Sequence, residues 1–173
     1  HLAHHGHCYI CCDFRTYPFL FGLLSANNLN VKNCIIWYKS KGGGLGAFYQ
    51  NSYEIIVFAT FHRRARVSKK DRGARTINGQ SNVWEIPSST HGVGAIEKLG
   101  HTANKPIELY SRCIKNSSDN GQLIFDPFTG SGTMFAACEQ TARRGRGIEI
   151  EAKYCAVTLE RLSQMGLDGR RVG

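Results

Sequence analysis

The chain has 173 residues, 42% of them hydrophobic, with 22 Lys and Arg against 13 Asp and Glu, for a formal net charge of +9. That is one ordinary domain's worth of sequence with enough apolar content for a core, which excludes a disordered chain. No apolar run reaches bilayer length and no secretory leader is visible, and the positive charge favours a polyanionic partner such as nucleic acid over a membrane, because no basic amphipathic helix accompanies it.

The start, HLAHHGHCYICCDF, holds four His and three Cys. No second ligand pair follows at zinc spacing, and Cys8 to Cys12 alternates with β-formers, so a strand over 8–13 is expected there and no metal site. Apolar residues at helical spacing, Phe19, Leu20, Leu23 and Leu24, predict a helix over 17–29 that ends in an Asn-rich turn. Asn33–Tyr38 and Tyr53–Ala59 read as buried strands around a glycine-rich loop, 39–46. Residues 62–82 are polar and basic, and read as a loop or small insertion. Val83–Ile86 is a short strand stopped by Pro87. Pro106 opens a helix from Ile107 to Asn116. Then come a strand over Gln122–Asp126, a helix over 132–142, a strand over Gly147–Glu151 and a helix over Tyr154–Met165. This β-turn-α-β-α order is that of a doubly wound, mostly parallel α/β sheet. The seven cysteines are odd in number. Cys34, Cys113, Cys138 and Cys155 lie in apolar runs and read as buried thiols of a reducing, cytoplasmic compartment. Trp37 and Tyr38, in an apolar strand, are expected in the core rather than stacked on bases.

The stretch Asp126-Pro-Phe-Thr-Gly-Ser-Gly-Thr-Met134 joins the predicted strand to the predicted helix. In such a sheet, ligands bind beyond the carboxyl ends of the strands. Gly130 and Gly132 permit a sharp turn and a close backbone approach. Amides at the helix start can receive a carboxylate or phosphate, and Asp126 can receive an amine. Glu149 follows Gly130 at the distance at which an acid grips a ribose diol. Together these describe a nucleoside site that is also open to an amino-acid group. A dinucleotide fits less well, because GxGxxG is absent.

DPFTGSGTM followed by GRGIEIEAKYCAVTLERL resembles the cofactor-binding region of the amino-methylating DNA methyltransferases, which use S-adenosylmethionine to methylate adenine N6 or cytosine N4. HTANKPIEL (101–109), NCIIWYKSKGGGLGAFYQNSYEIIVFA (33–59) and NVWEI (82–86) are similar to further family segments in the right order. The resemblance implies a Rossmann-like, circularly permuted fold of the β-type subclass, incomplete at its N-terminus. It implies one methyltransferase domain over 1–173. Residues 1–60 would form part of the catalytic half, 61–95 a basic target-recognition insertion, and 96–173 the cofactor half. It assigns the cofactor to Asp126, Pro127, Phe128, Gly130, Ser131, Gly132, Thr133, Glu149, His101 and Lys105.

Two departures stand out. The family's D/S/N-P-P-Y/F/W tetrapeptide, which holds the target amine and stacks on the flipped base, is not in the sequence. Hence no catalytic residue is assigned, and this chain alone is expected to bind cofactor with little catalysis. The second is Ser52-Tyr-Glu54, where relatives carry His-Glu. The densest basic segment, HRRARVSKKDRGAR (62–75), offers Arg63, Arg64, Arg66, Lys69, Lys70, Arg72 and Arg75 to DNA phosphates. Double-stranded DNA is the expected partner, in a restriction-modification setting, with the oligomeric state open, a dimer included. Adenine is favoured over cytosine on subclass resemblance alone. An RNA or small-molecule methyltransferase and a non-catalytic nucleic-acid-binding remnant remain the competing readings.

Overall fold

The structure, a computed structural model, describes residues 6–40, 48–61, 80–88 and 105–170. The chain divides into two compact units, His1–Ser88 and Ser89–Gly173.

In the first unit, β1 (His7–Cys12), α1 (Tyr17–Ala26), β2 (Asn30–Tyr38), β3 (Tyr53–Thr60) and β4 (Val83–Glu85) follow in order. The strands form one sheet in the order β1-β3-β2-β4. Strand β3 pairs antiparallel with both β1 and β2, placing Cys8 opposite Ala59 and Ile35 opposite Ile56, while β2 and β4 run parallel. The α/β class thus stands, with a mixed sheet in this unit. Alternation along β3 sends Ile55, Val57 and Ala59 to the face that α1 covers through Leu24. Cys8, Ile10 and Cys12 of β1 pack against that cluster. On the other face of β1, Tyr9 stacks on Phe58 at 4.9 Å between ring centroids. The Cys-rich start therefore spends its side chains on sheet packing. Burial raises the Cys8 thiol above its ordinary pKa.

Helix α1 starts where Asp13 Oδ1 accepts the Thr16 amide at 2.7 Å, with Pro18 in its first turn. It ends three residues earlier than the apolar spacing suggests, because Asn27 and Asn28, the latter at φ 61°, turn the chain. Trp37 is 2% exposed and donates its indole N–H to the Ile86 carbonyl at 2.7 Å. Tyr38, next along the strand, points the other way and is exposed. At the end of β2, Lys39 pairs with Glu54 at 2.7 Å.

The second unit contains α2 (Ile107–Ser117), β5 (Leu123–Asp126), α3 (Thr133–Gln140), β6 (Arg144–Gly147) and α4 (Ala152–Gln164). Strands β5 and β6 are parallel, with Leu123 beside Arg144 and Asp126 beside Gly147. Ile114 of α2 and Met134, Ala137 and Cys138 of α3 form the core, with Ile107, Tyr110, Ile124 and Phe135 against it.

The strand expected over Gly147–Glu151 lies instead over Arg144–Gly147. Helix packing explains the difference. A Cβ on Gly145 would sit 2.6 Å from the Phe135 ring, and one on Gly147 would sit 2.1 Å from Thr129 Oγ1. Only glycine lets β6 lie this close to α3 and the preceding loop, although Arg and Gly carry little strand propensity. Residues 148–151 are consequently the turn beyond the strand, and Glu149 stands past its carboxyl end. Among the described residues no helix is long and apolar enough to cross a membrane.

Candidate cofactor-binding site

The parallel pair β5–β6 ends in two loops that are bound to each other. Ile148 donates its amide to the Asp126 carbonyl at 3.0 Å, and Thr129 donates its amide to the Ile148 carbonyl at 3.0 Å. The Thr129 hydroxyl, in a buried side chain, adds contacts of 3.2 Å to the Asp126 carbonyl and 3.0 Å to the Ile148 carbonyl. The ladder therefore continues past the strands and fixes where both acids stand.

Asp126 is the last residue of β5. Its Oδ1 accepts the Phe128 amide at 2.9 Å, a local turn of the kind aspartate favours. Its Oδ2 accepts the Tyr110 hydroxyl, on α2, at 3.3 Å. Glu149 bridges the two loops: Oε2 accepts the Gly130 amide at 2.7 Å and Oε1 accepts the Glu151 amide at 2.9 Å. Each carboxylate oxygen can accept two hydrogen bonds, so holding the loop is compatible with receiving ligand hydroxyls or an amine.

Gly130 and Gly132 take φ of 56° and 77°, the left-handed region in which a side chain is strained. Gly132 is also the residue ahead of α3, so no side chain caps that helix. A Cβ there would lie 2.7 Å from Thr158 Cγ2. Thr158 in turn donates its hydroxyl to the Gly130 carbonyl at 3.1 Å. One helical turn on, Arg161 Nη1 donates to Thr133 Oγ1 at 2.9 Å. Burial lowers the Arg161 pKa from its ordinary value.

The structure thus brings Asp126, Gly130, Ser131, Gly132, Thr133 and Glu149 together around one turn. Ser131 and Thr133 are buried within it, while Pro127 and Phe128 stand outside, with Phe128 85% exposed. Lys105 lies half-buried just ahead of α2. His101 falls outside the described residues, as do Arg63, Arg64, Arg66, Lys69, Lys70, Arg72 and Arg75. Sequence reasoning missed Tyr110, Thr129, Thr158 and Arg161. The last two are spaced i, i+3 on α4, the helix that follows Glu149, and that spacing was the available signal.

The donor set suits a nucleoside carrying a zwitterionic end. Two carboxylates offer acceptors, the uncapped start of α3 offers amides, and Phe128 and Ile150, 93% exposed, offer apolar surface. Among the described residues no group of three or more His, Cys, Asp or Glu could hold a metal ion.

Residues 1–160 match the family model described as DNA methylase. Among curated proteins, the chain is similar to the type II methyltransferase M.HpaI of Haemophilus parainfluenzae, with 31% identity over 93% of this chain and 54% of that protein. It is also similar to the DNA adenine methyltransferase YhdJ of Escherichia coli K12, with 29% identity over 93% of this chain and 62% of that protein. The chain therefore spans just over half the length of these relatives. Among solved structures, M1.HpyAVI in complex with SAM superposes with a TM-score of 0.68 at 22% identity, over 92% of this chain and 75% of that one. The cytosine-N4-specific PvuII DNA methyltransferase superposes with a TM-score of 0.74 at 14% identity, over 98% of this chain and 66% of that one. Both likenesses bear on the fold, which is that of the Rossmann-like DNA methyltransferases.

Proposed function

The chain belongs to the DNA methylase family, and from that premise we propose that it binds S-adenosylmethionine at the β5–α3 turn, as part of an enzyme that methylates the exocyclic amine of adenine in DNA. The observation that carries this reading is the Glu149 bridge. A carboxylate beyond β6 is tied at 2.7 Å to the glycine turn beyond β5, so the acid placed to grip a ribose and the glycine loop form one preassembled unit.

The cofactor supplies an electrophilic methyl group. The chain's own residues bind and orient it. Glu149 would accept from the ribose hydroxyls, Asp126 would accept from the amino group, and the first amides of α3 would receive the carboxylate. Phe128 and Ile150, both exposed, would offer apolar surface to the adenine. Pro127 and Ser131 hold the turn. Lys105, just ahead of α2, would extend the site, and the resemblance adds His101, which lies outside the described residues.

The tetrapeptide that holds the target amine is not among the 173 residues. The reading therefore gives this chain the cofactor-binding share of the reaction, and a strand carrying that tetrapeptide the base-holding share. The basic residues of 62–75, Arg63, Arg64, Arg66, Lys69, Lys70, Arg72 and Arg75, would meet DNA phosphates, which position the duplex without reading sequence. Adenine rests on the likeness to YhdJ. Cytosine N4 is the second reading, favoured by the superposition on the PvuII enzyme.

Calorimetric titration with S-adenosylmethionine, beside the Asp126→Ala variant and with NAD as control, tests the cofactor assignment. Saturable binding that the variant loses and NAD does not reproduce is expected. A folded chain that takes up no S-adenosylmethionine would refute it. Nucleoside analysis of DNA methylated by a protein that joins this chain to the tetrapeptide separates N6-methyladenine from N4-methylcytosine.

A further inference from the structure

Helix α4 sends one cation under the cofactor turn. Arg161 is half-buried, and its Nη1 lies 2.9 Å from Thr133 Oγ1, the first residue of α3. Among the described residues the ion pairs are Lys39 with Glu54 and Arg170 with Asp168, and Arg161 has no carboxylate beside it. Partial burial of a guanidinium without an anion is unfavourable, and a negative charge brought near it offsets that cost. Arginine has no acceptor. The Thr133 hydroxyl accepts from it, so that hydroxyl's own proton is available to donate elsewhere. Thr133 begins the helix whose N-terminus is uncapped, where the helix dipole already favours an anion.

We propose that Arg161 is a positioning and specificity-determining residue: acting through the Thr133 hydroxyl, it tunes the turn for a ligand that ends in a carboxylate. The inference rests on the cofactor reading above and adds to it the side-chain pair, Arg161 and Thr133, that sets the preference for a carboxylate at the start of α3. Thr158, one turn earlier on the same helix face, has a different task. It holds the Gly130 carbonyl at 3.1 Å and serves the backbone of the turn alone.

The test pairs two ligands that differ only in that carboxylate, S-adenosylmethionine and its decarboxylated form, titrated calorimetrically into the wild-type chain and into Arg161→Met, Thr133→Val and the double variant. Circular dichroism and thermal melts check that each is folded. Arg161→Met should weaken S-adenosylmethionine about tenfold, as for loss of one charge-assisted interaction, and leave the decarboxylated ligand within about twofold. Thr133→Val should show the same selective loss, and the double variant should lose little more than either single, because the two act in series. Arg161→Lys, which keeps the charge, should recover part of the discrimination. Equal weakening of both ligands, or additive losses in the double variant, would overturn the proposal and leave Arg161 a packing residue. Should Arg161→Met not fold, the Thr133→Val and Arg161→Lys comparisons decide alone. A folded wild-type chain that binds neither ligand removes the cofactor reading itself, and this inference with it, which is a different result from binding without discrimination.

Discussion

Glu149 accepts the Gly130 amide at 2.7 Å through one carboxylate oxygen and the Glu151 amide at 2.9 Å through the other. Both contacts are backbone donors, so the side chain must present an acceptor on each side. Glutamine cannot, since its NH2 would face one of the two amides. Glu149→Gln should therefore lower stability by about 1–3 kcal/mol, the cost of leaving a donor unmet. Chemical denaturation measures this. If Glu149→Gln proves as stable as the wild type, the carboxylate does not bridge the loops.

The Gly132 backbone and the Thr158 side chain compete for one volume. At φ 77°, with Thr158 Cγ2 2.7 Å from where a Cβ would stand, alanine at position 132 suffers twice. The left-handed conformation costs about 1–2 kcal/mol and overpacking about 1–3 kcal/mol more. Thr158→Ala in the Gly132→Ala background removes the clashing atoms and should return the overpacking part, leaving the backbone strain. A double-mutant cycle in urea reads this coupling, and additive effects would mean that the two residues do not touch.

These two relationships show which features a sequence announces. The DPFTGSGT turn was readable because proline, glycine and an acid punctuate an apolar strand and an Ala-rich helix, and because Glu149 falls at a diagnostic distance. The position of β6 was not. Arg144-Gly-Arg-Gly147 has the composition of a turn, and its glycines answer to Phe135 and Thr129, side chains far enough away in sequence that no local pattern reveals them. Strand direction in the first unit was hidden for a related reason. Residues such as Ile55, Ile56 and Val57 say that β3 is buried on both faces, but nothing about which way its neighbours run. Arg161 is not legible in the sequence, because a charged residue on a helix normally faces water and only the fold turns it toward Thr133.

Cys138 supplies a pH dependence. It is 2% exposed on α3, and burial pushes its thiol up from 9.0 to about 11, although the nearby Arg143 opposes the rise. The folded chain therefore holds the proton more tightly than the unfolded one. The contribution is fully present below the unfolded pKa near 9 and is lost as pH climbs toward 11. The stability difference between wild type and Cys138→Ala should be flat below pH 9 and then narrow by about 2–3 kcal/mol. The thiol should also resist a disulfide reagent at pH 8 until the chain unfolds. A flat difference across the whole range, or rapid labelling of the native chain, would contradict the buried placement.

The net charge of +9 is concentrated in the 62–75 segment, with Asp71 its one acid. A chain held to DNA by phosphate contacts releases counterions, so the logarithm of its affinity falls linearly with the logarithm of salt, by roughly 0.9 per contact. Replacing Arg63, Arg64 and Arg66 together by glutamine should weaken duplex binding at low salt and flatten that slope by about two to three. Because phosphates carry no sequence information, the loss should be equal on unrelated duplexes. Fluorescence anisotropy across a salt series measures both quantities. An unchanged slope would place the phosphate contacts elsewhere on the chain. A loss confined to one duplex would mean that these arginines read bases, because only direct contact with base edges distinguishes one sequence from another at constant charge.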